Sequence, residues 1–271
     1  MMTRDMFALG LLFGLGSCVM GYRGEETFAE THDAGPMRSL LLDLPATDVN
    51  LDGVAGATSL GWEGSWFSTG GTQKIATQNA QRPDFFYSRL DGVAELRAFV
   101  PLDVENLVDL ELRRILVPAD VDIELTGVHP KVDITGVDGH LFVDLQRGDV
   151  TINGSETGNY VRTGLGSITV TSSAAIDAAT RWGDIVLDQT VSGGDVIATA
   201  GNGSIEVLFA DVSNVSFQID TGGRVDIRTA DLVQVSSGQL VRELGDGTVR
   251  VILEASGDVI VRDQAWTDAG D

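Results

Sequence analysis

Three histidines, one cysteine and 40 carboxylates are the side chains of this 271-residue chain from which chemistry could be built. His32 lies in a polar N-terminal stretch, His129 precedes Pro130, and His140 follows a glycine at a turn. No HxxH, HExxH or paired Cys/His spacing joins them, so a zinc or nucleophilic centre lacks its parts. His140 near Asp138 or Asp144 could act as a base, but a surface histidine is the better reading of the position. Asp133, Asp144, Asp149, Asp184 and Asp226 could supply the clustered carboxylates of a polysaccharide-cleaving β-protein. Each is also what a strand exterior or a turn cap requires. Trp62, Trp66 and Phe67 cluster in one Gly-rich segment, a candidate contact for a sugar ring or protein partner. The competing reading is that they plug the end of the fold against water. No catalytic residue, metal site or cofactor is expected.

Cys18 carries a different chemistry. The chain begins Met1-Met2-Thr3-Arg4-Asp5, runs apolar from Met6 to Leu15, and reaches Leu15-Gly16-Ser17-Cys18. A basic start, about ten apolar residues and small residues before a cut are the parts of an export signal, and the stretch is too short to span a bilayer. The motif resembles the bacterial lipoprotein signal, which implies removal of residues 1–17 and lipidation of Cys18. An exported chain with a single cysteine has no internal disulfide to form, which agrees with that use of the thiol. Val19 and Met20 follow; neither is the aspartate that holds the best-known lipoproteins at the inner membrane, so the outer membrane or cell surface is the expected address.

Eighteen Lys or Arg against the 40 carboxylates leave a net charge of −22, which excludes a nucleic-acid partner for want of a basic patch. With 33 Gly, 6 Pro and 43% apolar residues, the composition is neither collagen-like nor disordered.

The elements that would position these residues are written as a repeat. Gly148-Asp-Val-Thr-Ile, Gly166-Ser-Ile-Thr-Val, Gly183-Asp-Ile-Val-Leu, Gly203-Ser-Ile-Glu-Val, Gly223-Arg-Val-Asp-Ile and Gly257-Asp-Val-Ile-Val are versions of one phrase, announced by Lys131-Val-Asp-Ile and repeated again at Gly247. The first apolar residues fall at 132, 150, 168, 185, 205, 225, 249 and 259. Each phrase alternates like a strand with one buried face, so Val150/Ile152, Ile168/Val170, Ile185/Leu187, Ile205/Val207 and Val225/Ile227 should point inward. Thr151, Thr169, Glu206 and Asp226 should face solvent. A second strand lies between phrases, as in Leu141-Phe-Val-Asp-Leu and Asn159-Tyr-Val-Arg-Thr. Two strands and two turns make a rung of about 18–20 residues, and rungs must stack about 4.8 Å apart to bury their faces. The expected fold is all-β: a β-solenoid or flattened β-roll, with an antiparallel meander or sandwich left open by the period alone. The 10-residue step from 249 to 259 reads as one closing hairpin. The residue after the corner glycine runs Asp149, Ser167, Asp184, Ser204, Arg224, Thr248, Asp258, and the Gly-Gly-x-Gly-x-Asp calcium motif is absent. Alternation of aspartate with other residues would keep stacked carboxylates apart rather than build a cation ladder; calcium at a loop stays open.

These tandem Gly-Asp/Ser-Val/Ile rungs, introduced by Ile115-Leu-Val-Pro-Ala-Asp-Val-Asp-Ile-Glu-Leu, resemble a bacterial family known as "putative adhesins", otherwise a domain of unknown function. The resemblance covers about residues 110 to 262 and implies a β-solenoid exported to the cell envelope, with no catalytic residues to carry over. The expected division is 1–17 signal peptide, 18–35 lipidated tether, 36–109 degenerate N-terminal β region, 110–262 repeat domain and 263–271 acidic tail, with Trp266 placed to cap the last rung. A polar loop or long hairpin is expected from Thr69 to Pro83. The functional expectation is a non-catalytic adhesion or interaction scaffold, anchored to the membrane by lipid and meeting a protein or glycan partner at the envelope or surface. The alternatives are a periplasmic maintenance or sensing lipoprotein and, from a different class, a carbohydrate-active β-helix enzyme.

Overall fold

The computed structural model describes residues 21–190, 194–210, 212 and 214–264, so Cys18 and Trp266 lie outside the described residues. The described chain is all-β. Its 21 strands join in one large, nearly closed sheet.

Most of that sheet consists of two ladders of parallel strands. The first runs β6 (Val93–Phe99), β2 (Ser39–Asp43), the start of β8 (Asp122–Thr135), the start of β9 (Leu141–Ser155), β10 (Asn159–Leu165), β12 (Ile176–Trp182), β14 (Val196–Ala200), β20 (Val249–Ala255) and β16 (Val215–Thr221). The second runs β7 (Val108–Pro118), β3 (Val49–Val54), the ends of β8 and β9, β11 (Ile168–Ser172), β13 (Ile185–Gln189), β15 (Ile205–Phe209), β21 (Val259–Asp263) and β17 (Arg224–Arg228). Side chains in register form continuous columns. Ile134, Ile152, Val170, Leu187, Val207, Val261 and Ile227 make one such column, and every member is buried. A one-residue slip in any strand would move its apolar set to the outside, so the alternation of the sequence sets the register. The inward pairs named from the repeat are all buried, and Asp226, expected at the surface, is buried as well. Arg224 Nη2 and Arg228 Nε lie 2.7 and 3.0 Å from its two oxygens and roof it over.

The corner glycines explain the period. Gly148, Gly166 and Gly183 have φ of +135°, +146° and +145°, a region open to glycine and strained for other residues. They also stack: a Cβ on Gly166 would sit 2.1 Å from the Gly148 carbonyl oxygen, and one on Gly183 2.2 Å from that of Gly166. Beside them the next residues form a second column. Asp149 Oδ1 accepts from Ser167 N at 2.8 Å, Asp184 Oδ1 from Ser204 N at 2.8 Å, Ser204 Oγ from Asp258 N at 3.1 Å, and Asp258 Oδ1 from Arg224 N at 2.8 Å. In space the order is Asp149, Ser167, Asp184, Ser204, Asp258, Arg224, a stricter alternation than the chain order shows. Each acceptor satisfies a backbone donor one rung away, and no two aspartates are neighbours.

Both ends differ from the sequence expectation. β20 and β21 do not pair as a hairpin. They form one rung inserted between β14/β15 and β16/β17. At the other end β2/β3 lies between β6/β7 and β8 in the same way. Antiparallel strands then close each end: β18 (Val233–Ser237) on β17, β19 (Leu240–Glu243) on β16, β5 (Asp84–Leu90) on β6, and β4 (Ser59–Gly70) on β7. Residues 22–33, expected in a tether, form β1 (Tyr22–Asp33), which pairs along its whole length with β4. The stretch expected as a loop holds α1 (Gln73–Ala80), capped by Thr72 Oγ1 accepting from Ile75 N at 3.2 Å. Gly24 and Gly70 seat that helix: a Cβ on either would meet the Ala76 backbone at 2.3 and 2.7 Å.

Candidate functional site

The residues one place before the registered Ile123, Leu141, Asn159, Ile176, Val196 and Val251 of the first ladder also stack: Asp122, His140, Gly158, Ala175, Asp195 and Arg250. Two hydrogen bonds hold the ends of this column, Asp122 Oδ1 accepting from His140 N at 2.8 Å and Asp195 Oδ1 from Arg250 N at 2.9 Å. Between His140 and Asp195 the side chains are missing or minimal at Gly158 and Ala175. The gap is a groove of about 430 Å³. At roughly 4.8 Å per strand it spans about 14 Å along the ladder.

Two residues further along each strand, the outward side chains form the groove's inner margin. Phe142 and Tyr160 stack with ring centroids 4.8 Å apart and planes 2° from parallel. They are 38% and 36% exposed. The Arg162 guanidinium lies 4.4 Å over the Tyr160 ring, and its Nη2 reaches Asp177 Oδ1 at 2.7 Å. Partial burial disfavours the Arg162 charge, but Tyr160 and Asp177 outweigh it and hold the pKa above its ordinary value. Asp195 is tied in turn to Arg250, Oδ2 to Nη2 at 3.1 Å. The groove therefore offers aromatic edges, a histidine and two carboxylates already neutralised by arginine. Such a surface can hold a partly apolar ligand. Its two carboxylates each face an arginine rather than one another.

The aromatic group singled out in the sequence has another place. Trp62 and Trp66 are 2% and 3% exposed. They pack with Phe85, at 6.0 and 5.5 Å between ring centroids, and Phe28 lies 4.9 Å from Phe85. His32 stacks on Trp62 at 4.8 Å with planes 6° apart. These rings come from β1, β4 and β5 and seal the core at the end where the two ladders terminate. Buried indoles offer no face to a partner, so a contact role for Trp62 and Trp66 is replaced by the plugging one. Phe67 is half-buried under the Arg23 guanidinium, 4.0 Å from its ring centroid.

His129 is fully buried where β8 crosses between ladders. Its Nδ1 lies 3.2 Å from the Thr47 carbonyl, which only accepts, so the proton sits on Nδ1. Nε2 then has no hydrogen-bond partner among the described residues. Burial lowers its pKa, more than the nearby Thr47 and Thr126 carbonyls raise it. Asp133 is paired with Lys131 Nζ at 2.6 Å, while Asp149 and Asp184 are corner acceptors. Asp144 stands outward on β9, one rung from Arg162. The structure does not gather the five candidate carboxylates into one site. Among the described residues no group of three or more His, Cys, Asp or Glu is arranged to hold a metal ion. No described helix is long and apolar enough to cross a membrane.

The groove escaped the sequence reading, although a signal existed: Phe142 and Tyr160 are one rung apart at equivalent positions of two adjacent rungs.

No protein-family model matches the chain, and no curated protein does. Among solved structures, a "putative adhesin" from Bacteroides fragilis aligns at 11% identity over 88% of this chain and 97% of its own, with a TM-score of 0.44. A "putative cell adhesion protein" from Clostridium sporogenes aligns at 10% identity over 88% and 100%, with a TM-score of 0.34. A "putative lipid binding protein" from Parabacteroides distasonis aligns at 8% identity over 89% and 96%, with a TM-score of 0.24.

Proposed function

We propose that this chain is a non-catalytic binding scaffold of the cell envelope: a two-ladder β-solenoid, anchored through lipid on Cys18, that meets a protein or glycan partner through its exterior. The exposed Phe142–Tyr160 stack beside the groove carries the reading. Exposed coplanar aromatics beside a groove are what a recognition surface needs, and tightly stacked rungs make them rigid. The charged neighbours, Arg162 with Asp177 and Arg250 with Asp195, are saturated by each other and stand ready to orient a ligand rather than to transfer protons.

The test is retention of isolated envelope protein and envelope polysaccharide on the immobilised chain, compared with a Phe142→Ala/Tyr160→Ala double variant. Both rings lie outside the core, so the variant should keep its fold by circular dichroism and lose retention at least tenfold. Equal retention by the two proteins would remove the groove from the account.

A further inference from the structure

The two ends of the molecule guard their sheet edges differently. At one end β1 carries Arg23, Glu25, Glu26, Glu30 and Asp33, and α1 packs against it. Charge and cover of this kind keep an edge strand from pairing with another chain. At the other end β18 pairs only with β17 among the described strands, and no charged residue or described helix shields it as β1 is shielded. From Leu232 to Val241 the sequence is Leu-Val-Gln-Val-Ser-Ser-Gly-Gln-Leu-Val, without a charge or a proline, in a chain of net charge −22.

The polarity of β18 is also reversed. Gln234 and Ser236 stand beside the buried Ile227 and Val225, while Val233 and Val235 face outward beside Arg228 and Asp226. The two valines are 61% and 56% exposed, and the Ser236 hydroxyl is buried without a hydrogen-bond partner among the described residues. Apolar side chains out and polar ones in is the pattern of a strand whose outer surroundings are incomplete.

We propose that β18 is a self-association edge, to which β18 of a second copy of this chain adds antiparallel about a two-fold axis through Val235. This goes beyond the scaffold reading and does not depend on the lipid anchor. The occupant follows from self-complementarity. Centred on Val235, antiparallel pairing sets Val233 opposite Ser237 of the other copy and Gln234 opposite Ser236. Directly opposed residues share a face, so four valines merge into one apolar strip across the junction. The Gln234 amide reaches the orphaned Ser236 hydroxyl of the other copy from both sides of the axis. Gln234 has that amide to give, because Arg242 Nε, 3.0 Å away, engages only its oxygen. The strip is also the place where two strongly acidic molecules can meet without opposing carboxylates. Because the bodies still repel one another, association should strengthen as salt screens them.

Residues facing each other across an antiparallel pair have Cβ atoms roughly 4.5–5.5 Å apart, within reach of a short thiol cross-linker. Val235→Cys in the full chain, treated with such a reagent in the expressing cells, should give a covalent species of twice the mass. Val233→Cys mixed with Ser237→Cys should cross-link, and each alone should not. Phe86→Cys, exposed at the opposite end, should give none. Val235→Lys should weaken self-association by roughly tenfold or more in sedimentation, since it opposes like charges at the axis. The proposal is overturned by reactive thiols at residue 235 that yield no dimer, by an adduct with a different protein, or by equal cross-linking at Phe86→Cys.

Discussion

Gly166→Ala measures how much of the stability resides in the stacked corners. The substitution does two things here. It forces a side chain onto a backbone at φ +146°, and it drives a methyl to 2.1 Å from the Gly148 carbonyl oxygen and 2.5 Å from its carbon. The first costs about 1–2 kcal/mol. The second cannot be relieved by a rotamer, because the obstacle is backbone of the neighbouring rung. The rung must shift, loosening the Gly166 N–H bond to the Trp182 carbonyl at 2.9 Å and the Thr180 hydroxyl bond to the Gly166 carbonyl at 2.8 Å. Two such bonds are worth about 1 kcal/mol each. Reduced freedom of the unfolded chain returns roughly 0.4–1 kcal/mol. The net loss is about 2–4 kcal/mol, a large fraction of the roughly 5–15 kcal/mol that holds a domain folded. Gly154→Ala is the control: φ is +76°, but nothing lies within 4 Å of its Cβ, so only the backbone cost applies. Urea titrations of the two variants beside the parent chain should place Gly166→Ala well below Gly154→Ala in midpoint. Equal midpoints would refute the argument that contact between successive corners, rather than positive φ alone, requires glycine.

Other consequences can be checked with the same folded material. Ser167→Asp puts three carboxylates on successive rungs beside Asp149 and Asp184. It should cost about 1–2 kcal/mol at low salt, and millimolar calcium or higher salt should restore the urea midpoint. Leu253→Ala empties a fully buried position on the inserted rung, in register with Ala198 and Ile219. The expected loss is about 2–5 kcal/mol, read from the same titration. His129 is held neutral by burial with its pKa lowered. Above the unfolded value of about 6.5 it adds no pH dependence; below that the unfolded chain takes up the proton first, so stability falls as pH drops from about 6.5 toward the lower folded value. Urea midpoints measured from pH 7 to pH 5 should decline less steeply in His129→Gln than in the parent.

The repeat was legible because its information is local. Alternation in Val150-Thr-Ile or Ile168-Thr-Val names the buried face, and the glycine before each phrase names the corner, so strand identity and the inward columns follow from short segments. The order of rungs in space was not legible. Nothing within Val249–Ala255 says that it slots between β14 and β16; that depends on which edges are free when the last rung arrives, a long-range property. β1 was misread as a tether because its run of glutamates mimics solvated chain, although alternate residues are the less exposed ones, as in a strand with one covered face. α1 has only Ala76 and Ala80 on its buried face, too little apolar signal to show a helix, and its seat is made by Gly24 and Gly70 elsewhere in the chain. The groove depends on what Gly158 and Ala175 lack once rungs are aligned, which a search for reactive residue types overlooks. Asp226 looked like any exterior carboxylate because its two covering arginines are two residues away on either side, a spacing that matters only in an extended strand.

Membrane fractionation of cells carrying the parent chain or Cys18→Ala, followed by protease treatment of intact cells, tests the central claim most directly. An anchored envelope scaffold should sediment with membranes, and Cys18→Ala should move to the soluble fraction with its fold intact. Protease added outside should then cut the parent domain either on whole cells, which places the scaffold at the surface, or only after the outer membrane is opened, which places it in the periplasm. Unchanged partitioning of Cys18→Ala, or a parent chain found in the cytosol, would contradict the account.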